Sequence, residues 1–274
     1  MRPSPHAVET LPLSRKNIRL LRGLTTKKHR EEQRKFIIEG IRLVTEAVES
    51  NFELLETYYT KEVSDHPGGR ELLSLIRERS PLMREVSPHE LQAMSDTVTT
   101  QGVVAVLRQR QFVIDDILRR DAGTSIVVAF DAVSDPGNAG TMIRTCDWFG
   151  VDGILLGAHS VELYNPKLLR STMGGVFHLP IVEDVDLPVA VTQARAFGYT
   201  VYVTDAKGDT HFDRVTFSTK SLIVFGNEAW GVSDQVKSLA DSRVLIRRYG
   251  AAESLNVSVA CGVVLSGLHR LYDE

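Results

Sequence analysis

The chain has 274 residues, 43% of them apolar, and 32 Lys and Arg against 35 Asp and Glu, a net charge of −3. That apolar content fills one large domain or two ordinary ones, and the charge balance excludes a protein that holds nucleic acid through an overall basic excess. Two cysteines without CxxC spacing exclude a disulfide scaffold, and no run reaches the ~18 apolar residues of a membrane span. Residues 1–12 contain one Arg and no apolar core of a secretory leader, so a soluble cytoplasmic protein with reduced, buried Cys146 and Cys261 is expected.

The first segment is unlike the rest. From Arg15 to Lys35 nine basic residues face only Glu31 and Glu32, which hides a local basic patch inside an acidic total. Ile18, Leu20, Leu21 and Leu24 give it a helical apolar stripe, so one or two helices with an exposed basic face are expected. Strands follow at Phe36–Glu39, Leu55–Tyr59, Leu82–Val86 and Val103–Leu107, alternating with helices at Ile41–Val48, Arg70–Glu78 and Pro88–Met94. This reads as a small α/β domain over residues 1–110. The polar stretch 111–124 reads as a linker.

A second alternation fills residues 125–274. Strands are expected at Ser125–Phe130, Gly153–Leu156, Pro180–Val182, Val201–Thr204, Leu222–Phe225 and Val244–Ile246. Helices are expected at Asn138–Phe149, Pro166–Met173, Val189–Phe197, Asp234–Ala240 and Ser254–Leu271. Runs such as IVVAF and LIVF suit strands buried on both faces, so the fold class is α/β with a mostly parallel sheet between helices.

Ligands in such sheets bind beyond the carboxyl ends of strands. Three glycine-containing turns lie there: Asp131–Gly140 running into Arg144, Phe225–Ser233, and Ile246–Ser258. The first lacks GxGxxG and the acidic residue that grips a ribose, which argues against a dinucleotide enzyme. The second matches a P-loop except that Val232 replaces the lysine that must reach the phosphates. Taken singly, each turn is equally explained by glycine supplying positive φ and by Asn138 or Ser254 capping a helix. Three polar turns in one half of the chain, without a ligand, would leave costly polar groups at one sheet edge.

The strings Asn138-Ala-Gly-Thr-Met-Ile-Arg144, Gly226-Asn-Glu228-Ala-Trp-Gly231 and Glu253-Ser254-Leu-Asn256-Val-Ser258-Val-Ala260 resemble the three ordered motifs of the SpoU/TrmH family of RNA ribose 2′-O-methyltransferases. The N-terminal strings Ser14-Arg-Lys-Asn17 and Phe36-Ile-Ile-Glu39-Gly40 resemble the ribosomal-protein-like RNA-binding domain that often precedes that catalytic domain. The resemblance implies a C-terminal trefoil knot, a homodimer and S-adenosylmethionine as methyl donor, with no metal. It implies cofactor contacts at Thr204, Gly226, Ile246 and Leu255, and a catalytic surround of Asn138, Arg144, Glu228, Ser254 and Asn256. One departure stands out: Arg247-Arg248 replace the Pro-Met usual after this isoleucine, giving the loop two cations suited to phosphate.

Methyl transfer from a sulfonium is an in-line displacement, so positioning supplies much of the rate. The family mechanism makes the first-motif arginine the base, but a guanidinium stays protonated. Arg144 is therefore expected to stabilise the developing alkoxide and grip a neighbouring phosphate. Glu228 is expected to orient Arg144 or Asn256, or to sit as a carboxylate near a helix start. Trp230 either stacks or packs. Arg15, Lys16, Arg19, Lys27, Lys28 and Arg30 are expected to contact RNA phosphates. The expected substrate is a structured RNA, ribosomal in preference to transfer RNA. The competing reading is a catalytically silent RNA-binding protein on the same scaffold.

Overall fold

The computed structural model describes residues 13–97, 100–119 and 123–272. The leader-free reading of residues 1–12 and positions 120–122 of the expected linker lie outside them. The chain forms two compact units, Met1–Arg110 with Tyr164–Phe177, and Gln111–Leu163 with His178–Glu274.

The first unit begins with helices α1 (Arg15–Gly23) and α2 (Lys27–Gln33). The basic stretch splits in two because the hydroxyls of Thr25 and Thr26 bond back to the carbonyls of Arg22 and Gly23, occupying the end of α1. There follow β1 (Lys35–Glu39), α3 (Ile41–Glu49), β2 (Leu54–Tyr59), α4 (Gly69–Arg79), β3 (Met83–Glu85), α5 (Pro88–Met94) and β4 (Val103–Arg108). The sheet order is β1-β4-β2-β3, with β4 antiparallel to both neighbours and β3 parallel to β2. Helix α5 starts where its sequence says it should: Ser87 and Glu90 exchange side-chain-to-amide hydrogen bonds, and Pro88 takes the first position.

The second unit runs through α6 (Ile114–Leu118), β5 (Ser125–Asp131), α7 (Pro136–Trp148) and β6 (Gly153–Gly157). The chain then returns to the first unit for α8 (Pro166–Thr172), where the Tyr164 hydroxyl bonds the backbone of Arg110 and its ring lies 4.4 Å from that of Phe36. It resumes with β7 (Ile181–Val185), α9 (Leu187–Ala196), β8 (Thr200–Thr204), β9 (Thr210–His211), β10 (Lys220–Gly226), α10 (Asp234–Ser238), β11 (Ser242–Leu245) and α11 (Val257–Tyr272). The seven strands lie in the order β7-β6-β5-β10-β8-β11-β9, parallel at every pairing. Residues Ile126–Phe130 and Leu222–Phe225 are buried throughout, as strands covered on both faces must be.

Three expectations need correction. The stretch 111–124 is not a plain linker, because α6 places Ile117 and Leu118 fully buried in the second unit's core. Its Asp and Arg residues concealed a one-turn amphipathic helix too short for a periodic signal. The last helix begins at Val257, so Ser254 precedes it, and Asn256 holds the cap position. Helix α7 is capped by Asp135, with Pro136 first and Asn138 in its opening turn. No helix among the described residues is long and apolar enough to cross a membrane.

Burial of Ile117 yields a direct check. Ile117→Ala should cost about 2–5 kcal/mol in urea unfolding, as core truncations do; a linker residue would cost under about 0.5 kcal/mol.

Candidate active site at the carboxyl ends of β5, β10 and β11

The order of strands changes direction between β5 and β10, the place where open parallel sheets offer a crevice. Asp131 and Gly226 end these two strands side by side. Two hydrogen bonds staple the loops that follow: the Ser233 amide donates to Asp131 Oδ2 at 2.7 Å, and Asn227 Nδ2 donates to the Ala132 carbonyl at 2.7 Å. Ala132 is held at φ +57, a left-handed conformation that costs a non-glycine residue energy and persists because these bonds over-determine it. Gly226 is required by contact: a Cβ there would lie 2.1 Å from the backbone of Gly231 and Val232. Gly231 supplies the positive φ that turns the loop back, and its backbone pairs with Asn227 in both directions.

Three loops meet through one chain of side chains. Glu228, from the loop after β10, accepts hydrogen bonds from Asn138 Nδ2 at 3.1 Å and from the amides of Asp135 and Ser134 at 3.2 and 3.4 Å. Asn138, in the first turn of α7, accepts at Oδ1 from Asn256 Nδ2 at 2.9 Å. Asn256 in turn accepts at Oδ1 from the amide and hydroxyl of Ser258 at 2.9 and 2.6 Å. The direction of this relay is fixed by charge, because an ionised carboxylate only accepts and so obliges Asn138 to present its nitrogen to it.

Partial burial pushes the Glu228 carboxyl up, but the Asn138 amide, its own backbone N–H and the amides of Asp135 and Ser134 outweigh this and hold it below the ordinary glutamate value. It is therefore ionised at neutral pH and serves as an anchor rather than a proton donor.

Of the expected catalytic set, Asn138, Glu228 and Asn256 are joined; Arg144 and Ser254 are not part of the relay. Arg144 is exposed, without a hydrogen-bond or ion-pair partner among the described residues. Six positions along α7 set it about 120° around the helix from Asn138. Ser254 is exposed in the loop before α11. Asp131, Asn227 and Asp135 carry the site's architecture by bonding backbone amides or carbonyls, which no spacing rule exposes, and Ser258 does so by donating to the Asn256 side chain.

The expected cofactor positions lie on the same edge. Thr204 ends β8 and donates its hydroxyl to the Val224 carbonyl at 3.0 Å, so it offers shape rather than a free donor. Ile246 follows β11, and Leu255 is half exposed. From Arg247 to Leu255 no backbone group bonds another backbone group among the described residues. Apart from the Ala252 carbonyl, which accepts from Arg248 Nη1 at 3.4 Å, these amides and carbonyls are open to a ligand with an amine, a carboxylate and a heteroaromatic edge, as S-adenosylmethionine has. No group of three or more His, Cys, Asp or Glu is arranged to hold a metal among the described residues, and His178 bonds Asp147 at 2.9 Å.

Among the expected RNA contacts, Arg15, Lys16 and Arg19 are exposed on α1. Lys27 and Lys28 are exposed and pair along α2 with Glu31 and Glu32 at 3.5 and 4.0 Å, weak ties that a phosphate can replace. Arg30 is the exception: only 2% exposed, it donates from Nη1 to the Leu24 carbonyl at 2.9 Å. It fastens α2 to the end of α1 and is unavailable to RNA; a count of basic residues does not reveal which one faces inward.

Residues 125–266 match the SpoU rRNA Methylase family, and residues 15–105 match the MRM3-like substrate binding domain. The chain belongs to the SpoU rRNA methylase family. Relatives in this family include the Bacillus subtilis 23S rRNA (guanosine(2553)-2′-O)-methyltransferase RlmP, 34% identical over 88% of this chain and 91% of that protein. The Streptomyces viridochromogenes 23S rRNA (uridine(2479)-2′-O)-methyltransferase is 31% identical over 84% of this chain and 80% of that one. A solved AdoMet-bound rRNA methyltransferase from Sinorhizobium meliloti superposes with a TM-score of 0.84 at 29% identity, covering 96% of this chain and 98% of its own. The SpoU methyltransferase AviRb from Streptomyces viridochromogenes, in complex with AdoMet, gives 0.84 at 28% identity, covering 95% and 99%. This SpoU chain is thus an AdoMet-dependent methyltransferase of mostly parallel α/β architecture.

The depressed Glu228 pKa sets a pH dependence. Wild-type stability relative to Glu228→Gln should be fully present above the ordinary glutamate value of 4.5 and lost as pH falls through the lower folded-state value. Thermal unfolding of both proteins across acid pH checks this; a difference that does not change with pH contradicts it.

Proposed function

We propose that the chain transfers the methyl group of S-adenosylmethionine to a ribose 2′-hydroxyl of 23S-type ribosomal RNA. The observation that carries this reading is the relay Glu228–Asn138–Asn256, which joins the three motif loops at the crevice between β5 and β10. The relatives named as 23S ribose methyltransferases over most of both chains support the substrate class.

Bound, S-adenosylmethionine supplies an electrophilic methyl on a sulfonium. The backbone of Gly226, Ile246 and Leu255, with Thr204 beside them, holds it at the carboxyl edge. The relay keeps Asn138 and Asn256 in fixed rotamers, so a ribose placed against them meets preset partners. Arg144, with its guanidinium free, grips the phosphate beside the target ribose and stabilises the alkoxide as the proton leaves to phosphate or water. Ser254, outside the relay, binds the RNA or the cofactor carboxylate.

The division of labour assigns residues 1–110 to RNA binding and 125–274 to catalysis, with Arg15, Lys16, Arg19, Lys27 and Lys28 on phosphates. A trefoil knot in the second part is supported by the path of residues 247–256. Leaving β11, this segment passes β8 and β10, about 14 Å at ordinary strand spacing, to bond Asn138 beyond β5. A homodimer through α7 and α11 is supported by Trp148 and Val259, exposed on those helices. A cytoplasmic location is supported by the RNA substrate and by Cys146 and Cys261, both free and buried.

The test is transfer from labelled S-adenosylmethionine to unmodified 23S transcript, read as alkali-resistant 2′-O-methyl positions. Wild type should modify a single position, and Arg144→Lys should lose on the order of 10²-fold in kcat, as removal of a charge-stabilising donor does. Cofactor binding without transfer to any RNA would favour the silent reading.

A further inference from the structure

Among the described side chains tyrosine is an inward residue, with one conspicuous departure. Tyr58, Tyr59, Tyr164, Tyr199 and Tyr202 are all buried, whereas Tyr249 is 87% exposed on the loop between β11 and α11. The Arg247 guanidinium lies 6.0 Å from its ring centroid, a cation–π pair that presents a flat face and a charge side by side. Arg248, next to it, bonds back to the Ala252 carbonyl at 3.4 Å and ties the loop upon itself. Trp230, 70% exposed, stands on the loop after β10, at the same edge of the parallel sheet.

A solvent-facing ring with two arginines carries the chemistry that takes hold of unpaired nucleotides: every base has a face to stack, and every nucleotide a phosphate to bind. Its position fits the reaction as well. Tyr249 precedes Asn256 by seven residues, so it lies within about 25 Å of the relay even at full extension. It is therefore within reach of nucleotides next to a ribose held there.

We propose that Arg247, Arg248 and Tyr249 form an RNA-gripping element of the catalytic unit, in which the Tyr249 ring stacks on an unpaired base flanking the target and the arginines take its phosphates. The inference rests on the methyl-transfer reading and adds a second RNA contact, separate from α1 and α2. A self-association surface is the other use for an exposed ring; the two adjacent cations favour the polyanion.

The experiment measures binding of the full chain, saturated with S-adenosylmethionine, to unmodified 23S transcript over a range of salt concentrations. It uses wild type, Tyr249→Ala, Tyr249→Phe and Arg247→Gln, with cofactor affinity and sedimentation measured in parallel. Tyr249→Ala should weaken RNA binding about 5- to 100-fold, the range for one stacked base, and Tyr249→Phe should restore it. Arg247→Gln should lower the slope of log affinity against log salt by about one. Cofactor affinity and oligomeric state should not change. Wild type that binds and methylates RNA, with Tyr249→Ala equally tight, overturns the inference alone. A loss that follows cofactor affinity, or a change in oligomeric state, overturns it too. Wild type that binds no RNA overturns the methyl-transfer reading and this inference together.

Discussion

A single ionised carboxylate organises the site. Glu228 is an acceptor only, so Asn138 must turn its nitrogen toward it, Asn138 must offer its oxygen to Asn256, and Asn256 must offer its oxygen to Ser258. Four side chains from three loops thereby receive one orientation from one charge. A neutral side chain at 228 could accept or donate, and the amides beyond it would lose their enforced direction. Amides from the start of α7 keep Glu228 charged, so the helix that carries Asn138 also maintains the anchor that orients it.

The sheet makes this convergence possible. Because β5 and β10 are neighbours although many residues apart, the loops after them leave at the same edge and are stapled by Asp131–Ser233 and Asn227–Ala132. The close approach at Gly226 leaves no room for a side chain, so the loop from Asn227 to Val232 folds flat against its own strand. The third loop arrives from β11, two strands further out, and brings a row of backbone groups that no other backbone group bonds.

Much of the fold is legible because its signals are local and strong. Ser87-Pro-x-Glu90 announces α5, and the apolar runs at 126–130 and 222–225 announce buried parallel strands. What escaped depends on partners distant in sequence. Helix α6 is one turn long, and its burial becomes visible only when Ile117 meets the core of the second unit. Arg30 looks like its basic neighbours until its partner, the Leu24 carbonyl, is seen. At the site, the three motifs name Asn138, Glu228 and Asn256, yet nothing in the string says that Glu228 bonds Asn138 rather than Arg144. That choice follows from helix geometry, which turns Arg144 away from Asn138.

If the relay works as one unit, its members cannot be removed independently. The most direct measurement is a double-mutant cycle on the rate of methyl transfer to 23S transcript, with Glu228→Ala, Asn256→Ala and the pair. The relay predicts strong non-additivity, the double variant losing little more rate than the worse single one. Losses that multiply, as for independent residues, would contradict it.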